Sequence, residues 1–335
     1  MRCEALDCTK FWPTDTSFVR SVYPWRYHRS PMFSYRHAFH AGNHADVLKH
    51  TTLIAALRHL MQKEQPITLV DTHAGAGLYR LDGEYTETGG EAKDGIVKLM
   101  AALRPAQGAG VAACSPLDDY LDLISQFNPS GSLRVYPGSP FVMHALLREA
   151  ARDRLKLFEL HPTDGKTLDA NIAQLDAGRQ IAVSRQDGFE GLTPLLPPPP
   201  SATGSKRACV LIDPSYEIKS DYGQVSVCIQ DSLKRFPTGT YLVWYPIIPR
   251  PEAHDLPKRL KTLSTQAKRP WLHATLAIGQ DPTHGPDDRP GLTASGMFVI
   301  NPPHTLKAAL QQALPVLLNV LGRGRGKGQT LDSGG

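Results

Sequence analysis

An aspartate, a proline and a tyrosine follow one of the most apolar runs of the chain, at Asp213, Pro214 and Tyr216. A carboxylate and a backbone carbonyl that both accept from an exocyclic amino group can hold its nitrogen towards tetrahedral geometry, which frees the lone pair. Proline fixes the backbone φ and so aims the carbonyl, and tyrosine offers a face for base stacking. These residues predict methylation of an exocyclic amino group on a ring. The alternative is a plain β-turn, in which Asp-Pro is common.

Three earlier turns carry groups that suit an adenosine-containing cofactor. Gly75 and Gly77 follow the first apolar run and let the backbone approach a ligand, although the third glycine of the dinucleotide fingerprint is missing. Glu159 closes the second run, where a carboxylate can accept from both ribose hydroxyls. Asp187 and Gly188 close the third, where the carboxylate can accept from an adenine amino group and glycine leaves room for the ring. Each turn alone is also explained as a solvated connection, and the succession of three favours the cofactor.

The segment 35–50 is rich in histidine and contains Tyr35, Arg36 and Lys49. It lacks an HExxH pattern, clustered carboxylates and cysteine, so a metal site is not predicted. We interpret it as a polar, cation-capable segment that borders the site and can meet phosphate. His50 falls on a helix whose apolar face belongs to the core, and a packing role for it stays open.

The elements that must position these residues alternate along the chain. Residues 44–64 have apolar side chains at helical spacing, with Asn43 as an N-cap. Apolar alternation with helix-length segments predicts a mostly parallel sheet covered on both faces, with ligands at the carboxyl ends of its strands. The seven strand-like runs are 67–71, 155–160, 180–187, 208–214, 240–247, 272–278 and 296–301.

The domain organisation predicted from the sequence has three parts. Residues 1–31 are an extension without periodicity, either disordered or the product of a wrongly assigned start, and residues 32–321 form the folded domain. Within that domain, 78–136 is predicted to be a helical insertion, because only 92–103 and 116–127 are periodic there. The tail 322–335, GRGRGKGQTLDSGG, is predicted to be disordered and basic from its composition.

Composition excludes several classes of protein. Of 335 residues, 41% are hydrophobic and 21% charged, which are globular values and not those of a disordered or fibrous chain. No apolar run is long enough to span a bilayer, and the cysteines form no CxxC pair. Residues 1–31 and 322–335 hold eight Lys/Arg against four Asp/Glu, and thus most of the net charge of +5. Bulk charge alone therefore does not indicate a nucleic-acid-binding protein.

Several blocks of sequence in a fixed order closely resemble the RlmJ family. The blocks are FSYRHAFHAGNHADVLKH, LVDTHAGAG, RVYPGSP, ELHP, DGF, IDPSYE, GTYLVWYP and LTASGMFVINPP. The resemblance covers about residues 32–321. It implies a class I, Rossmann-like methyltransferase with a mostly parallel, seven-stranded sheet and a helical insertion. It also implies that S-adenosylmethionine donates a methyl group to the N6 atom of an adenine in 23S ribosomal RNA.

The resemblance assigns roles to individual residues. It implies that Asp213 is the catalytic proton acceptor, that Tyr35 contacts the substrate and that the insertion helps to grip RNA. The usual motif is Asp-Pro-Pro-Tyr, and Ser215 replaces its second proline here, which puts backbone stiffness in question. The implied cofactor contacts are Lys49, His50, His73, Ser139, Glu159, Asp187, Gly188 and Asp213.

We therefore expect a cytoplasmic enzyme that methylates an adenine flipped out or already unpaired. Asp213 and the Pro214 carbonyl orient the amino group, and Tyr216 stacks on the base. The expected partner is 23S ribosomal RNA, free of protein or in an early assembly intermediate, with no membrane and no metal. Two alternatives stay open: a DNA adenine-N6 methyltransferase, and a nucleic-acid-binding protein whose methylation activity has decayed, as Ser215 could indicate.

Overall fold

The structure, a computed structural model, describes residues 37–81, 91–104, 115–175, 177–280 and 291–335. The predicted extension 1–31 lies outside these residues, as does Tyr35. Among the helices described, none combines the length and apolarity needed to cross a bilayer.

The described strands form one large and one small sheet. They are β1 (Thr68–Asp71), β2 (Leu78–Arg80), β3 (Val135–Pro137), β4 (Arg154–Phe158), β5 (Ile181–Ser184), β6 (Ala208–Ile212), β7 (Thr240–Pro246), β8 (Trp271–Ala277), β9 (Ala294–Ile300) and β10 (Gly328–Gly334). The large sheet has the order β10-β8-β9-β7-β6-β1-β4-β5, and β2 pairs with β3. Strands β5, β4, β1, β6 and β7 run parallel to one another, whereas β9 is antiparallel to both β7 and β8. After β1 the chain adds β4 and β5 on one side of β1, and then β6 and β7 on its other side. The topological switch point of the sheet therefore lies between β1 and β6.

The helices cover the sheet and the insertion. They are α1 (His37–His40), α2 (His44–Leu60), α3 (Ile96–Leu103), α4 (Ser115–Gln126), α5 (Ser139–Leu146), α6 (Pro162–Ala173), α7 (Gly188–Leu192), α8 (Ser220–Arg235), α9 (Pro251–Gln266) and α10 (Leu306–Leu321). Helices α2, α5 and α10 form one contacting group, and α8 packs on α9. Strands β6, β7 and β9 are buried at every residue, so both faces of the sheet are covered.

The hydrophobic runs predicted seven strands of this sheet, each displaced by a few residues at its ends. Asn43 caps α2 as expected, because its side chain accepts from the backbone N–H groups of Ala45 and Asp46. The sheet order, with one antiparallel strand inserted beside β7, also confirms the class I architecture. The predicted number of strands was wrong, since the large sheet has eight.

The predicted insertion contains helices α3 and α4, close to the two periodic segments that indicated them. It also contains β2 and β3, which pair antiparallel over three residues each and escaped prediction because they are so short. A backbone contact joins the insertion to the start of α2: Ile96 N–H donates to the Gly42 carbonyl at 2.8 Å. A Cβ at Gly95 would lie 2.1 Å from the same carbonyl oxygen, so only glycine permits this approach.

The prediction of a disordered tail was wrong for its second half. Residues Gly328–Gly334 pair antiparallel with the whole of β8, from Trp271 to Ala277. Local composition did not reveal this strand because its stability comes from the edge of β8, to which its backbone donates and accepts. Two side-chain contacts support the pairing, between the Thr275 and Thr330 hydroxyls at 2.7 Å and from Lys307 Nζ to Ser333 Oγ at 2.8 Å.

Removal of the last strand is expected to destabilise the protein. A chain that ends at Lys327 keeps the contact between Arg323 and Asp94 but leaves the edge of β8 unpaired. We expect its melting temperature in calorimetry to fall by several degrees, since about 1 kcal/mol corresponds to roughly 2–4 °C in domains of 150–250 residues. Ser333→Ala, which removes only the contact with Lys307, is the control and is expected to melt close to the wild type. An unchanged melting temperature after truncation would show that β10 contributes no stability.

Candidate active site

The carboxyl ends of four parallel strands bring the predicted polar residues to one edge of the sheet. Asp71 ends β1, Glu159 follows β4, Asp187 follows β5 and Asp213 follows β6. Backbone hydrogen bonds tie the connecting loops together: Thr72 N–H donates to the Leu211 carbonyl and Ala74 N–H to that of Phe158. The site therefore lies at the switch point of the sheet, where ligands bind in open α/β folds.

A buried group of three charges connects α2 with the loop after β6. The Lys49 ammonium lies 2.6 Å from Asp213 Oδ2 and 2.7 Å from Asp46 Oδ1. The other Asp46 oxygen accepts from Gly42 N–H at 2.8 Å. Burial lowers the pKa of Lys49, but the charges and hydrogen bonds of Asp213 and Asp46 outweigh it and raise that pKa well above its ordinary value. Lys49 is therefore a permanent cation that fixes the Asp213 carboxylate.

A cavity of about 230 Å³ opens beside this group of charges. Asp46 and Lys49 form one wall, and Asp213, Ser215 and Tyr216 form another. Further lining comes from Trp244 of β7, from Ile248 and Arg250 of the segment after that strand, from Leu292, and from His40 and Asn43. The Lys49 ammonium also lies 5.9 Å from the centre of the Trp244 ring. The cavity thus combines an aromatic and apolar surface with the carboxylates of Asp46 and Asp213, both held by Lys49, and that of Glu217.

The loop after β6 is held in a conformation that few residues adopt. Tyr216 has a φ of +55°, which costs free energy in a residue other than glycine and needs compensating contacts. The Tyr216 hydroxyl donates to the Trp244 carbonyl at 2.6 Å, and the Arg250 guanidinium donates to the Tyr216 carbonyl at 3.2 Å. The ring is 2% exposed and packs against Tyr222 and Trp244. Stacking of a base on Tyr216 therefore stays a prediction, and the contacts seen here anchor the loop.

Glu159 lies at the turn predicted to bind the cofactor and also organises that turn. One carboxylate oxygen accepts from Gly75 N–H at 2.8 Å and the other from His161 N–H at 2.7 Å. Burial raises the pKa of Glu159 despite these two hydrogen bonds. Because each carboxylate oxygen has two lone pairs, both can still accept from a diol.

Asp187 and Gly188 form the start of α7 beside the first turn. Asp187 caps this helix by accepting from Phe189 N–H at 2.7 Å. A Cβ at Gly188 would lie 1.9 Å from the Thr72 carbonyl oxygen, so glycine is needed to bring the two loops together. His73 packs edge-on against Phe189, and burial lowers its pKa to about 4 despite nearby Asp213 and Asp187. The imidazole of His73 is thus neutral near pH 7.

Asp71 and Ser139 lie together beneath these turns. Asp71 is fully buried, and burial raises its pKa to about 7, although a hydrogen bond from Ser139 acts in the opposite direction. Ser139 begins α5, and the preceding Gly138 packs on the Gly77 carbonyl, to which it donates at 2.8 Å. The turn between β3 and α5 therefore reaches the same edge as the first turn.

His50 lies deeper than the other predicted cofactor contacts. It is 1% exposed, its ring stacks on that of Tyr136, and its Nδ1 lies 2.8 Å from the Tyr136 hydroxyl. This is the packing role left open by the sequence, and a cofactor contact for His50 stays a prediction. The predicted substrate contact Tyr35 lies outside the described residues.

Sequence reasoning missed Asp46 and Trp244. Asp46 precedes Lys49 by three residues, a spacing that places two side chains on the same face of a helix, so the pair could have been found within α2. Trp244 lies inside the apolar run of β7 and resembles an ordinary core residue. Only the sheet order brings its backbone carbonyl to Tyr216.

The sequence matches known ribosomal RNA methyltransferases. Residues 64–331 match the family described as RsmJ, ribosomal RNA large subunit methyltransferase D, RlmJ. Ribosomal RNA large subunit methyltransferase J of Escherichia coli (strain K12) is 42% identical over 287 residues, which are 85% of this chain and 93% of that protein. The protein of the same name from Haemophilus influenzae is 40% identical over 291 residues, covering 87% and 94%.

A solved structure has the same overall fold. Protein LPL1258 from Legionella pneumophila str. Philadelphia 1 superposes with a TM-score of 0.72 at 32% sequence identity. The match covers 88% of this chain and 98% of the other.

Loss of the Lys49 ammonium is expected to destabilise the fold, because two buried carboxylates would remain without their cation. We expect Lys49→Met to lower the free energy of unfolding by about 3–5 kcal/mol, the usual cost of breaking a buried ion pair from one side. Lys258→Met is the matched control, because Lys258 is exposed and its ion pair is with the exposed Asp255, and its effect is expected within about 0.5 kcal/mol. Urea unfolding measures both. Equal stability of the two variants would refute a structural role for the buried charges.

Proposed function

This chain belongs to the RlmJ family of ribosomal RNA large subunit methyltransferases, and we propose that it methylates the N6 atom of an adenine in 23S ribosomal RNA. Methylation of ribosomal RNA with S-adenosylmethionine as donor follows from the family. The observation that supports an amino group as the methylated group is the position of the Asp213 carboxylate. Lys49 fixes this carboxylate beside a cavity suited to one base. The choice of 23S RNA rests on the names of the relatives and on the sequence blocks of the family.

The residues of the first three turns fit S-adenosylmethionine. Glu159 presents a carboxylate for the ribose hydroxyls, and Gly188 leaves only backbone beside Thr72, where a side chain would collide. We propose that Asp187 accepts from the adenine amino group of the cofactor and that Lys49, His50, His73, Ser139 and Asp213 border it. When bound, S-adenosylmethionine supplies an electrophilic methyl group that accepts the lone pair of the target amine.

The protein's main contribution to the reaction is to orient the target amino group. Asp213 and the Pro214 carbonyl are acceptors, and together they would hold both hydrogens of the target amino group so that its lone pair points away from the ring plane. Since Lys49 already fixes Asp213, this acceptor needs no rearrangement when the base enters, and preorganised polar groups of this kind supply much of enzymatic rate enhancement. The amine proton then leaves to Asp213 or to solvent.

Ser215 does not argue against activity. It is exposed at the cavity, whereas Pro214 and Tyr216 on either side are buried. The hydrogen bonds of Tyr216 with Trp244 and Arg250 hold the backbone at this position. We therefore propose that tertiary contacts provide the stiffness that the second proline gives elsewhere in the family, and that the chain is active.

Transfer of a tritium-labelled methyl group tests the function. The substrates are protein-free 23S RNA from cells that lack the enzyme, assembled large subunits from the same cells, and DNA. We propose that free RNA or an early assembly intermediate is the substrate, in the cytoplasm, so label is expected in free RNA and little in the other two. Label in DNA alone would replace the proposal with the DNA enzyme. Absence of transfer, with binding of S-adenosylmethionine undetectable by calorimetry, would indicate a decayed enzyme.

Glu159→Ala is expected to weaken binding of S-adenosylmethionine by roughly 1.5–3 kcal/mol, the range for hydrogen bonds to a charged group. The melting temperature is also expected to fall, because the amides of Gly75 and His161 lose their acceptor. Titration calorimetry on the folded variant measures affinity, with Glu149→Ala on the exposed surface as the control. Wild-type affinity in folded Glu159→Ala would place the ribose elsewhere.

Asp213→Asn is expected to reduce the single-turnover rate by about 10²–10⁴-fold, the range of general acid–base contributions. Asparagine keeps the shape and one acceptor oxygen but has no charge and cannot take a proton. Binding of RNA is expected to change little, because contacts to phosphate dominate affinity. Rapid-quench measurement at saturating S-adenosylmethionine decides the outcome, with the exposed Asp231→Asn as control. Near-wild-type transfer by Asp213→Asn would contradict the role given to Asp213.

A further inference from the structure

The edge of the sheet opposite the active site concentrates positive charge. Six strands enter the sheet there, namely β1, β4, β5, β6, β7 and β8, the last because β7 and β8 are both antiparallel to β9. The connections that lead into these strands hold nine Lys and Arg against four Asp and Glu. They are residues 61–67, 147–154, 174–180, 196–207, 236–239 and 267–270. Residues 32–321 as a whole hold 29 Lys and Arg against 28 Asp and Glu, so the excess is local to this edge.

Three of these nine cations are half-buried and serve the fold. Arg148 and Arg207 both donate to the Gln65 carbonyl, at 3.2 and 2.6 Å, and so hold the chain between α2 and β1. Arg148 also pairs with Asp153, which is 1% exposed. Arg269 is the third. Cations near the carboxyl end of a helix also compensate its dipole, so these arginines do not by themselves indicate a ligand.

The other six cations are exposed, and we call the surface that they form the basic edge. They are Lys63, Arg152, Arg154, Arg179, Lys206 and Lys268. None of them forms an ion pair with a carboxylate of the described residues, whereas the exposed Arg58, Arg104 and Arg185 elsewhere each pair with an aspartate. The positive charge of the basic edge is therefore directed to solvent and is open to a ligand.

A cavity of about 500 Å³ lies within the basic edge, between the end of α2 and the starts of β1, β6 and β7. Lys63, Lys206, Arg207 and His59 line it, and no carboxylate does so among the described residues. Burial and the positive charges of His304, Lys63 and Arg207 lower the pKa of His59. Hydroxyl and amide side chains complete the polar lining. The cavity therefore suits an anion that accepts several hydrogen bonds, such as a phosphate group.

A second cavity of about 330 Å³ continues the basic edge towards β4 and β5. Arg152, Arg154 and Arg179 line it, together with Glu149 and the buried Asp153. The Arg154 guanidinium donates to the Arg179 carbonyl at 2.5 Å, which ties the starts of the two strands together. Positive charge is thus distributed along the edge and is not confined to one cavity.

The spacing of these cations matches a polymer of phosphates better than one small anion. They come from five connections that lie in a row, since the sheet has the order β8-β9-β7-β6-β1-β4-β5. With about 4.8 Å between neighbouring strands, the row extends over roughly 30 Å. Contacts from Lys and Arg to successive phosphates supply affinity that is independent of base sequence. The polyanion that the proposed function brings to this protein is RNA.

We propose that the basic edge binds the phosphate backbone of the substrate RNA, away from the target adenine. This inference rests on the proposed function and adds to it a second contact surface. The active site lies at the opposite ends of the same strands, which are four to seven residues long, or roughly 13–23 Å at about 3.3 Å per residue. A large RNA that passes around the domain reaches both sites, whereas a short fragment reaches only the active site. The basic edge therefore contributes affinity for large RNA and takes no part in the chemical step.

The salt dependence of binding to protein-free 23S RNA tests this contact. The variant Lys63→Gln/Arg179→Gln/Lys206→Gln removes three exposed charges and is expected to raise the Kd about 10-fold or more near physiological salt. The slope of log K against log salt is expected to become less steep by roughly two to three, because each lost phosphate contact removes about 0.7–0.9. The matched control is Lys166→Gln/Lys258→Gln/Arg259→Gln, which removes three exposed charges from α6 and α9. It is expected to keep the wild-type slope.

The length of the substrate separates the basic edge from the active site. Methyl transfer is measured with protein-free 23S RNA and with the shortest fragment that the wild type still methylates. The variant is expected to have a raised KM and an unchanged kcat on 23S RNA, and wild-type values of both on the fragment. Equal losses on the two substrates, or equal changes of slope in the variant and its control, overturn the inference. A wild type that methylates neither RNA refutes the proposed function instead.

Acetylation of the wild type gives a test that does not depend on the folding of a variant. The protein is treated with an acetylating reagent alone, with 23S RNA or with the short fragment, and the modified lysines are identified by mass spectrometry. Lys63, Lys206 and Lys268 are expected to be protected several-fold by 23S RNA and not by the fragment. Lys258 is the internal control and is expected to react equally in all three samples. Full reactivity of Lys63 and Lys206 in the complex with 23S RNA overturns the inference.

Discussion

The ammonium of Lys49, placed between two carboxylates, is the interaction on which the site depends. Removing three charges from water costs free energy, and such groups often contribute little net stability. What this group supplies is position, because it joins the N-terminal part of α2 to Asp213, which lies 164 residues after Lys49 in the chain. The Asp213 carboxylate is thereby aimed at the cavity before any base arrives. Asp46 is as important as Lys49 here, because one of its oxygens binds the Lys49 ammonium and the other accepts from Gly42 N–H. The position of Lys49 is therefore fixed by the start of α2 as well as by Asp213.

The loop after β6 is fixed at two further points, and this explains how the sequence can depart from its family. Asp213 is held from α2, the Tyr216 hydroxyl from the end of β7, and the Tyr216 carbonyl from Arg250 at the start of α9. A backbone held in this way has little freedom left for a proline ring to remove. Ser215 projects outward between two buried residues, where it forms part of the cavity rim. Loss of the second proline therefore changes the surface of the cavity more than the backbone conformation of the loop.

The sequence predicts those strands and site residues whose pattern lies within a short stretch of the chain, and it misses those that depend on contacts between distant elements. The strands of the parallel sheet are short apolar runs, and polar residues follow their ends, so the sequence alone predicts that Glu159, Asp187 and Asp213 lie at one edge. Strand β10 is different: its glycine-rich sequence has no signal of its own, and only the free edge of β8 makes it a strand. Tyr216 shows the same limit, since its type predicted a stacking face while its contacts with Tyr222 and Trp244 depend on packing between distant elements. Asp46 was within reach, because its spacing from Lys49 is a helical one.

The insertion is part of the active site and not an appendage to it. Directly after its 3₁₀ helix (Glu91–Asp94), Gly95 packs against the backbone of Gly42 in the turn before α2, and a side chain at Gly95 would force the two apart. The same turn donates Gly42 N–H to Asp46, while Asn43 and His40 bind Glu91 of the insertion. A displacement of the insertion would therefore move Asp46 through its contact with Gly42. It would also move His40, which lines the cavity, through its contact with Glu91. The resemblance to the RlmJ family implies that the insertion helps to grip RNA. If it does, RNA binding and the aim of the Lys49–Asp213 pair act on the same three residues, His40, Gly42 and Asn43, and the correct substrate can reinforce the geometry that its own methylation requires.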